Sequence, residues 1–489
     1  MRHNRIAGQF RFGYTINWPF AQSGFRFLLE RLEQLVSTAR GRRALYGALV
    51  LAFFFAAAGL GIARSVVRHE SIVFALGDGK SYYVYLPTLV IDGDLDITNQ
   101  MREHWGTQFN PDDLEDRTER GYVRNKYPIG VALSLAPTFL LAHAVASAGY
   151  PPTGWSALAP HGYSAIYQFA MLATVMLMAW GTLALVDRLA EGHFGCDSRA
   201  IAFGVTCVAI GSPFAYFAIR APLMPHIVSG FWVVAAIVIC ARIARDAMQK
   251  ILRARDLFLL ALTCSMALVC RPTNAFLGFF ALWAFTAVFS NGLLGPFAKR
   301  VPLAMFGVLP LILQMLVWRQ MFGHWIASAY PPYERFFWEE PLIVKTLFSP
   351  RAGLFSWSPV LVLAFAGFLV RLLKPMAAPN PRGTPALVCY LLSFVMLCYL
   401  NSAWWCWYFG DSIGGRPYIE IISMFMLGQT FFAEWFMSRS IRVNRVGFAA
   451  TVLCVIFSFL ISTAWDLRII HHPVEPPGAA AVIFARGHL

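Results

Sequence analysis

The chain is dominated by a succession of apolar segments, each about as long as a membrane-spanning helix requires, ~20 residues. Only 13% of its 489 residues are charged, about half of the roughly 25% that is usual in a soluble domain. The sequence therefore predicts an all-α polytopic membrane protein. Candidate spans lie near 44–67, 129–149, 163–186, 200–219, 223–244, 256–270, 273–291, 301–320, 353–370, 385–401, 417–436 and 446–465.

The basic loops predict how these segments are arranged. If every segment crosses, the loops 242–255, 371–382 and 439–445 fall on the opposite side from the basic N-terminus, against the positive-inside rule. If 129–149 does not cross, all of them share the N-terminal side. We therefore predict about 11 crossings, with 129–149 as a re-entrant or juxtamembrane helix inside a large outer loop, 68–162.

The remaining organisation is simple. We predict a cytoplasmic segment at 1–43 with an amphipathic helix at 20–40, one transmembrane domain at 44–467 and a short tail at 468–489. The net charge of +14 is explained by cytoplasmic Lys and Arg, so we predict no nucleic-acid partner. The cytoplasmic loops are too short to build a nucleotide-binding domain, and a high-energy substrate would have to arrive through the membrane.

Asp78 is the most informative single residue. It lies between Gly77 and Gly79, directly after the first apolar segment, in an outer region that holds 11 of the 26 acidic residues within 70–119. An isolated carboxylate at a membrane boundary is typical of a functional site, and it could act as a general base. The alternative is a solvated loop carboxylate or a helix cap.

Cations and aromatic rings accompany it on the predicted outer side. Cations there could bind a phosphate or extend to lipid headgroups; they are Lys80, Lys126, Arg220, Arg271, Arg351 and Arg416, with His226 as a further donor. Aromatic rings could stack on sugars or form an interfacial belt; the chief ones are Tyr82, Tyr83, Trp404 and Trp405.

A short acidic stretch resembles a calcium loop. Asp92, Asp94, Asp96 and Glu103 match ligand positions of such a loop, but Ile97 stands where its sharp turn requires glycine. A solvated acidic loop is the alternative, so no cofactor is predicted beyond this weak divalent-metal candidate.

Several motifs together resemble the C-type glycosyltransferase superfold, in the bacterial branch of protein mannosyltransferases and the lipid A aminoarabinose transferase. The motifs are Asp78-Gly79 with Tyr82-Tyr83-Val84-Tyr85-Leu86-Pro87, Asn125-Lys126-Tyr127-Pro128, Pro222-Leu223-Met224-Pro225-His226, Arg271-Pro272-Thr273-Asn274 and Ser349-Pro350-Arg351-Ala352-Gly353. Ala221 departs from the pattern, because related sequences often carry an acidic residue there.

The resemblance implies an inverting glycosyltransferase of a bacterial inner membrane. Its donor would be a polyprenyl-phosphate-linked sugar and its acceptor a glycolipid, polysaccharide or protein hydroxyl at the periplasmic face, with Asp78 as base. Lys80, Lys126, Arg220, His226, Arg271 and Arg351 would bind the donor phosphate; Tyr82, Tyr83, Trp404, Trp405 and Arg416 would bind substrate. The rival interpretation is a lipid or solute transporter, which the apparent lack of paired ionisable residues in the spans disfavours.

Overall fold

A computed structural model of the chain describes residues 30–470, except 32, 106–110, 150–155 and 374–382. Most of the predicted amphipathic helix and of the C-terminal tail therefore lies outside the described residues. The described part is helical and contains no β-strand, only two isolated bridges, Arg117 with Val123 and Phe336 with Trp404.

The longer helices follow one another with short connections. They are α1 (Ala39–Arg68), α2 (Gly130–Gly149), α3 (Ala165–Gly192), α4 (Ser198–Gly211), α5 (Pro213–Arg220), α6 (Pro225–Ala247), α7 (Ala254–Cys270), α8 (Leu277–Ser290), α9 (Leu294–Met305), α10 (Leu309–Phe322), α11 (Val360–Leu373), α12 (Gly383–Ala403), α13 (Ile422–Met437) and α14 (Ile441–Asp466).

Short helical pieces lie between them. The α-helical pieces are Gly79–Tyr83, Tyr85–Pro87, Thr98–His104, Ile343–Phe348 and Leu354–Trp357, and Thr88–Asp92 is a π-turn. The 3₁₀ turns are Pro111–Leu114, Ser156–Leu158, Pro272–Phe276, Phe306–Val308 and Arg416–Ile421.

The protein is embedded in a membrane. By length and composition, 8 of the described helical stretches can cross a bilayer, and the bent pair α4 and α5 makes a ninth if it counts as one span. The prediction of an all-α polytopic membrane protein is thus confirmed. The predicted 11 crossings remain a prediction, because helices such as α11, with 14 residues, are shorter than a full span requires.

A serine cap and a proline break the segment that the sequence predicts as one span at 200–219. Ser212 caps α5 by accepting a hydrogen bond from the Phe214 N–H at 3.3 Å, and Pro213 supplies a first helical residue that has no N–H to leave unpaired. The pair is bent by 59° as a result.

Small residues bring α11 and α13 together in the middle of the bundle. A Cβ atom on Gly428 of α13 would lie 2.1 Å from the Ala364 carbonyl oxygen of α11, and one on Gly367 would lie 2.3 Å from the Gly428 carbonyl oxygen. Close backbone packing of this kind stabilises helix association in a membrane, where the hydrophobic effect does not bring helices together. The other side of α13 packs on α4, where Gly204 meets Thr430.

One end of the bundle holds a buried ion pair and the predicted basic loop 242–255. Arg42 of α1 donates to Asp187 of α3 at 2.6 Å, both side chains being fully buried. Arg43, Arg242 and Arg245 act electrostatically on Arg188 there. The structure thus brings the start of α1 and the 242–255 loop to one end, as the positive-inside argument requires.

The opposite end, where Asp78 lies, is called here the Asp78 end. Helix α2 begins there, with Gly130 against the Cys270 backbone at the end of α7. Further along α2, the His143 side chain hydrogen-bonds to the hydroxyl of Tyr167, near the start of α3, at 2.6 Å. These contacts favour a helix whose two termini share one end, as predicted for 129–149, although α2 is long enough to cross.

Candidate active site

Asp78 lies at the start of the short helix Gly79–Tyr83. Gly77 before it has a φ of +53°, a left-handed conformation that favours glycine. The Asp78 carbonyl accepts from the Ser81 N–H at 3.1 Å, and its Oδ2 accepts from the Arg416 Nη2 at 2.5 Å. One third of the side chain, 33%, is exposed, so a substrate hydroxyl can reach the carboxylate.

The surroundings keep Asp78 ionised. Burial acts to raise its pKa, but the charge of Arg416, a hydrogen bond from Tyr127 and the charge of Lys126 together hold the pKa below its ordinary value. At neutral pH the carboxylate is therefore free of its proton and able to accept one.

Arg416 is itself held by the loop that precedes it. Its Nη1 donates to the Phe409 carbonyl at 3.2 Å, and the neighbouring Gly415 N–H donates to the Ala352 carbonyl at 3.3 Å. Arg416 begins the 3₁₀ turn Arg416–Ile421, so this turn directs a guanidinium at Asp78.

The same turn supplies a second carboxylate, Glu420, which the sequence analysis missed. Its Oε1 lies 2.9 Å from the His226 Nδ1 and 3.0 Å from the Arg271 Nη1. His226 and Glu420 are buried, while Arg271 is 15% exposed. Glu420 thus neutralises and orients a cation that was predicted to bind a phosphate.

Lys126 forms the third ion pair, with Glu334, another carboxylate that the sequence analysis missed. Burial lowers the pKa of Lys126, but Glu334 outweighs it and raises the pKa above the ordinary value. The ammonium group lies 5.6 Å from the centre of the Tyr127 ring and 5.5 Å from that of Tyr330, within cation–π range.

Tyr82 and Tyr127 connect the three ion pairs. Burial raises the pKa of Tyr82, and the charges of Arg271, Asp78 and Arg416 all act on its hydroxyl. Its ring lies 4.7 Å from that of Tyr127, the ring beside Lys126. The three pairs therefore belong to one site at the Asp78 end.

An aromatic wall borders this site. Tyr330 lies 5.3 Å from Trp404, and Tyr333 lies 5.9 Å from Trp405, both edge to face. The Trp405 N–H donates to the Arg335 carbonyl at 3.0 Å, which ties the 330–342 loop to α12. Trp404 and Trp405 were predicted to bind substrate, and the structure sets them behind Tyr330 and Tyr333.

Two further predicted cations lie against aromatic rings near this site. Lys80 lies 4.2 Å above the Trp105 ring, and burial lowers its pKa while Asp113 and Asp78 act to raise it. Arg351 lies 3.5 Å above the ring of Tyr408, in the loop that leads to Arg416.

The structure places two other predicted residues away from Asp78. Tyr83 is fully buried and donates its hydroxyl to the Gly162 carbonyl, so its position indicates a packing role. Arg220 pairs with Asp466 in a different cavity.

The acidic stretch 92–103 forms caps and not a metal cluster. Asp96 accepts from the Thr98 N–H at 3.1 Å at the start of the helix Thr98–His104, and Asp92 accepts from Asn99 at 3.1 Å. Within the described residues, no group of three or more His, Cys, Asp or Glu side chains could hold a metal ion. The weak candidate from Asp92, Asp94, Asp96 and Glu103 therefore finds no support in this geometry.

Comparison of the chain with family models, curated proteins and solved structures finds no match. What the site does must therefore be argued from its own residues.

Proposed function

We propose that this chain is an inverting glycosyltransferase that acts at the Asp78 end of the bundle. It would move a sugar from a polyprenyl-phosphate-linked donor to an acceptor hydroxyl, on the predicted periplasmic face of a bacterial inner membrane. The observation that carries the proposal is an ionised, one-third exposed Asp78 beside cations and tyrosine rings at one end of a membrane bundle.

The chemical step needs one base and one stabilised leaving group. The acceptor O–H gives its proton to the Asp78 carboxylate while its oxygen forms a bond to the anomeric carbon. The bond from that carbon to the donor phosphate oxygen breaks, and polyprenyl phosphate leaves with the electron pair. The protonated Asp78 then returns its proton to water, and the anomeric configuration is inverted.

The leaving phosphate gains a negative charge, which positive side chains stabilise. We assign this role to Lys126 and Arg271, because each is oriented by a carboxylate, Glu334 and Glu420 respectively. Arg416 is the third cation of the site, paired with Asp78. An anionic donor would compete with these carboxylates for cations that are already in position.

Sugar binding is assigned to the rings beside Asp78. Tyr127 and Tyr330 offer ring faces and hydroxyls near the carboxylate, a combination that suits the apolar faces and hydroxyls of a pyranose. Tyr82, which is 5% exposed, packs against the Tyr127 ring and would bind the sugar through its hydroxyl. Tyr330 is 37% exposed, so it lies on the aqueous approach to the site.

The direct test is Asp78→Asn, which keeps the shape of the side chain and removes the base. We expect transfer of radiolabelled sugar from polyprenyl-phosphate donors in membranes to fall at least about 100-fold, as loss of a general base does. Asp94→Asn in the same outer region is the control, because Asp94 is exposed and only caps a turn. Full activity of the Asp78→Asn enzyme would refute the assignment.

One observation favours a transporter as the second candidate. The sequence argument that ionisable residues are not paired within the membrane domain is wrong, because the buried His226 of α6 pairs with Glu420 and Arg271. Buried carboxylate–histidine pairs are typical of proton pathways. Movement of labelled lipid across vesicles by the purified protein, abolished by Glu420→Gln and unaccompanied by sugar transfer, would favour this reading.

A further inference from the structure

A cavity of about 730 Å³ lies where the ends of α1, α5 and α14 meet. Its volume is within the range of small-molecule sites, about 300–1,000 Å³. Helix α1 contributes Arg64 and Arg68, α5 contributes Arg220, and α14 contributes Asp466. Asp78 is not among the lining residues, although Leu76 on the approach to it is, so the cavity is separate from the candidate active site.

Four arginines and four carboxylates line this cavity, but its ion pairs between arginine and carboxylate join only two of each. Arg220 is paired with Asp466, and Arg468 lies 3.8 Å from Asp411. Arg64 is half-buried. It lies close enough to Arg220 and Arg68 for their like charges to act on it, and the Asp466 carboxylate offsets part of this repulsion from a longer range than an ion pair.

Neither Arg64 nor Arg68 has a carboxylate within ion-pair distance in the described part of the chain. Among the described residues, Arg64 and Arg68 form no ion pair or hydrogen bond through their side chains, although the Glu70 carboxylate lines the same cavity. A half-buried guanidinium beside a like charge is costly, and an anion between the two would remove that cost.

Another wall is built of aromatic rings, with the Glu103 carboxylate beside them. The His104 ring stacks on that of His161 at 4.9 Å and on that of Tyr163 at 4.4 Å. Burial lowers the pKa of both histidines, so near pH 7 they add no charge. The cavity therefore combines a cationic side from α1 with a wall of neutral rings.

The mouth of the cavity lies next to the lipid-facing surface of α1. Ile62, Val66 and Val67 occupy the same last turns as the two arginines and are 46%, 67% and 78% exposed. Apolar side chains this exposed on a spanning helix face lipid tails. A group at the membrane boundary can therefore reach Arg64 without entering the aqueous phase.

We propose that this cavity binds a phosphate group between the guanidinium groups of Arg64 and Arg220. Guanidinium forks match phosphate oxygens in geometry and charge, and the phosphate supplies the missing counter-ion for Arg64. The group belongs either to a free phosphate anion or to the headgroup of a membrane lipid. The proposal does not depend on glycosyl transfer.

The test uses the full chain and two probes. In the first arm, inorganic phosphate is titrated at constant ionic strength into detergent-purified protein, and the unfolding midpoint is followed. In the second, native mass spectrometry counts the lipids retained from nanodiscs of phosphatidylglycerol and phosphatidylcholine. Both arms compare the wild type with Arg64→Gln, Arg68→Glu and the control Arg102→Gln, an exposed arginine outside the cavity.

We expect a bound phosphate to stabilise the wild type and Arg102→Gln, and Arg64→Gln to weaken phosphate affinity at least tenfold. Loss of retained phosphatidylglycerol in Arg64→Gln would identify the source as a lipid headgroup; a phosphate response without lipid preference would identify the free anion. Arg68→Glu should weaken binding in the same direction, and it keeps the test decisive if Arg64→Gln fails to fold. Equal binding by wild type, Arg64→Gln and Arg68→Glu, or no binding by the wild type, would overturn the proposal.

Discussion

The ion pair between Arg416 and Asp78 allows a quantitative test of the proposed base. Arg416→Gln keeps a hydrogen-bonding side chain of similar size and removes the positive charge that lies 2.5 Å from the Asp78 Oδ2. We expect the pKa of Asp78 to rise, because this charge is the largest of the influences that lower it.

The size of the rise follows from Coulomb's law and the exposure of the pair. Two charges ~4 Å apart interact by roughly 4 kcal/mol at an effective dielectric constant of ~20. Water reaches the exposed third of the Asp78 side chain and screens part of this Coulomb interaction. Without Arg416, Tyr127 and Lys126 still favour the ionised form of Asp78. A rise of about 1–2 pKa units is therefore expected, equivalent to about 1.4–2.7 kcal/mol.

The assay is the pH dependence of sugar transfer in membranes, each enzyme being normalised to its own maximum. Transfer requires ionised Asp78, so the rate falls as pH drops through the folded-state pKa. This acid limb should move up by about 1–2 pH units in Arg416→Gln and stay in place in Arg102→Gln. Normalisation removes any loss of substrate binding, which changes the height of the profile and not the position of its limb.

The stability of the fold should respond with the matching sign. The folded-state pKa of Asp78 lies below its unfolded value of ~3.9, so the pair stabilises the fold above that value, and this contribution disappears as pH falls through the folded pKa. In Arg416→Gln the contribution should be smaller. An acid limb that stays in place in Arg416→Gln, in an enzyme that Asp78→Asn inactivates, would refute the electrostatic reasoning.

Two further predictions concern the fold. Arg42→Ala should lower the free energy of unfolding by about 3 kcal/mol, because it leaves Asp187 buried without its cation. The control Arg43→Ala removes an exposed side chain and should lower the free energy of unfolding by less than about 0.5 kcal/mol. Unfolding in detergent measures both variants. Gly428→Ala should lower the free energy of unfolding by about 1–3 kcal/mol, because a Cβ atom has no room there. Gly278→Ala in α8, with open space around it, should leave the free energy of unfolding unchanged. Equal unfolding midpoints for the two variants would contradict the packing argument.

The sequence predicted the helices well because apolar runs are a local signal. The predicted segment 44–67 is α1, and 385–401 is α12. The break at Ser212 and Pro213 was also present in the sequence as a cap followed by proline, yet the surrounding run of apolar residues outweighed it. Span counts are harder, since they depend on how short helices such as α11 are packed in the bundle.

The partners of the site residues could not be predicted in this way. Glu420 meets Arg271 across 149 positions and Glu334 meets Lys126 across 208, and no local pattern records such pairings. Tyr83 shows the opposite error. It stands beside Tyr82 in the sequence, but neighbours on a helix point about 100° apart, so only one of the two rings can face Asp78.

The turn Arg416–Ile421 ties the two halves of the proposed chemistry together. Its first residue holds the proposed base Asp78, and Glu420 near its other end holds Arg271, which is proposed to bind the phosphate. A rise of ~2 Å per residue separates the backbone positions of Arg416 and Glu420 by about 8 Å along the turn. Tyr418 between them is 1% exposed, so packing fixes the turn. One packed element thus positions both the proposed base and the cation proposed to bind the phosphate, and fixed positioning of this kind is what the proposed displacement would require.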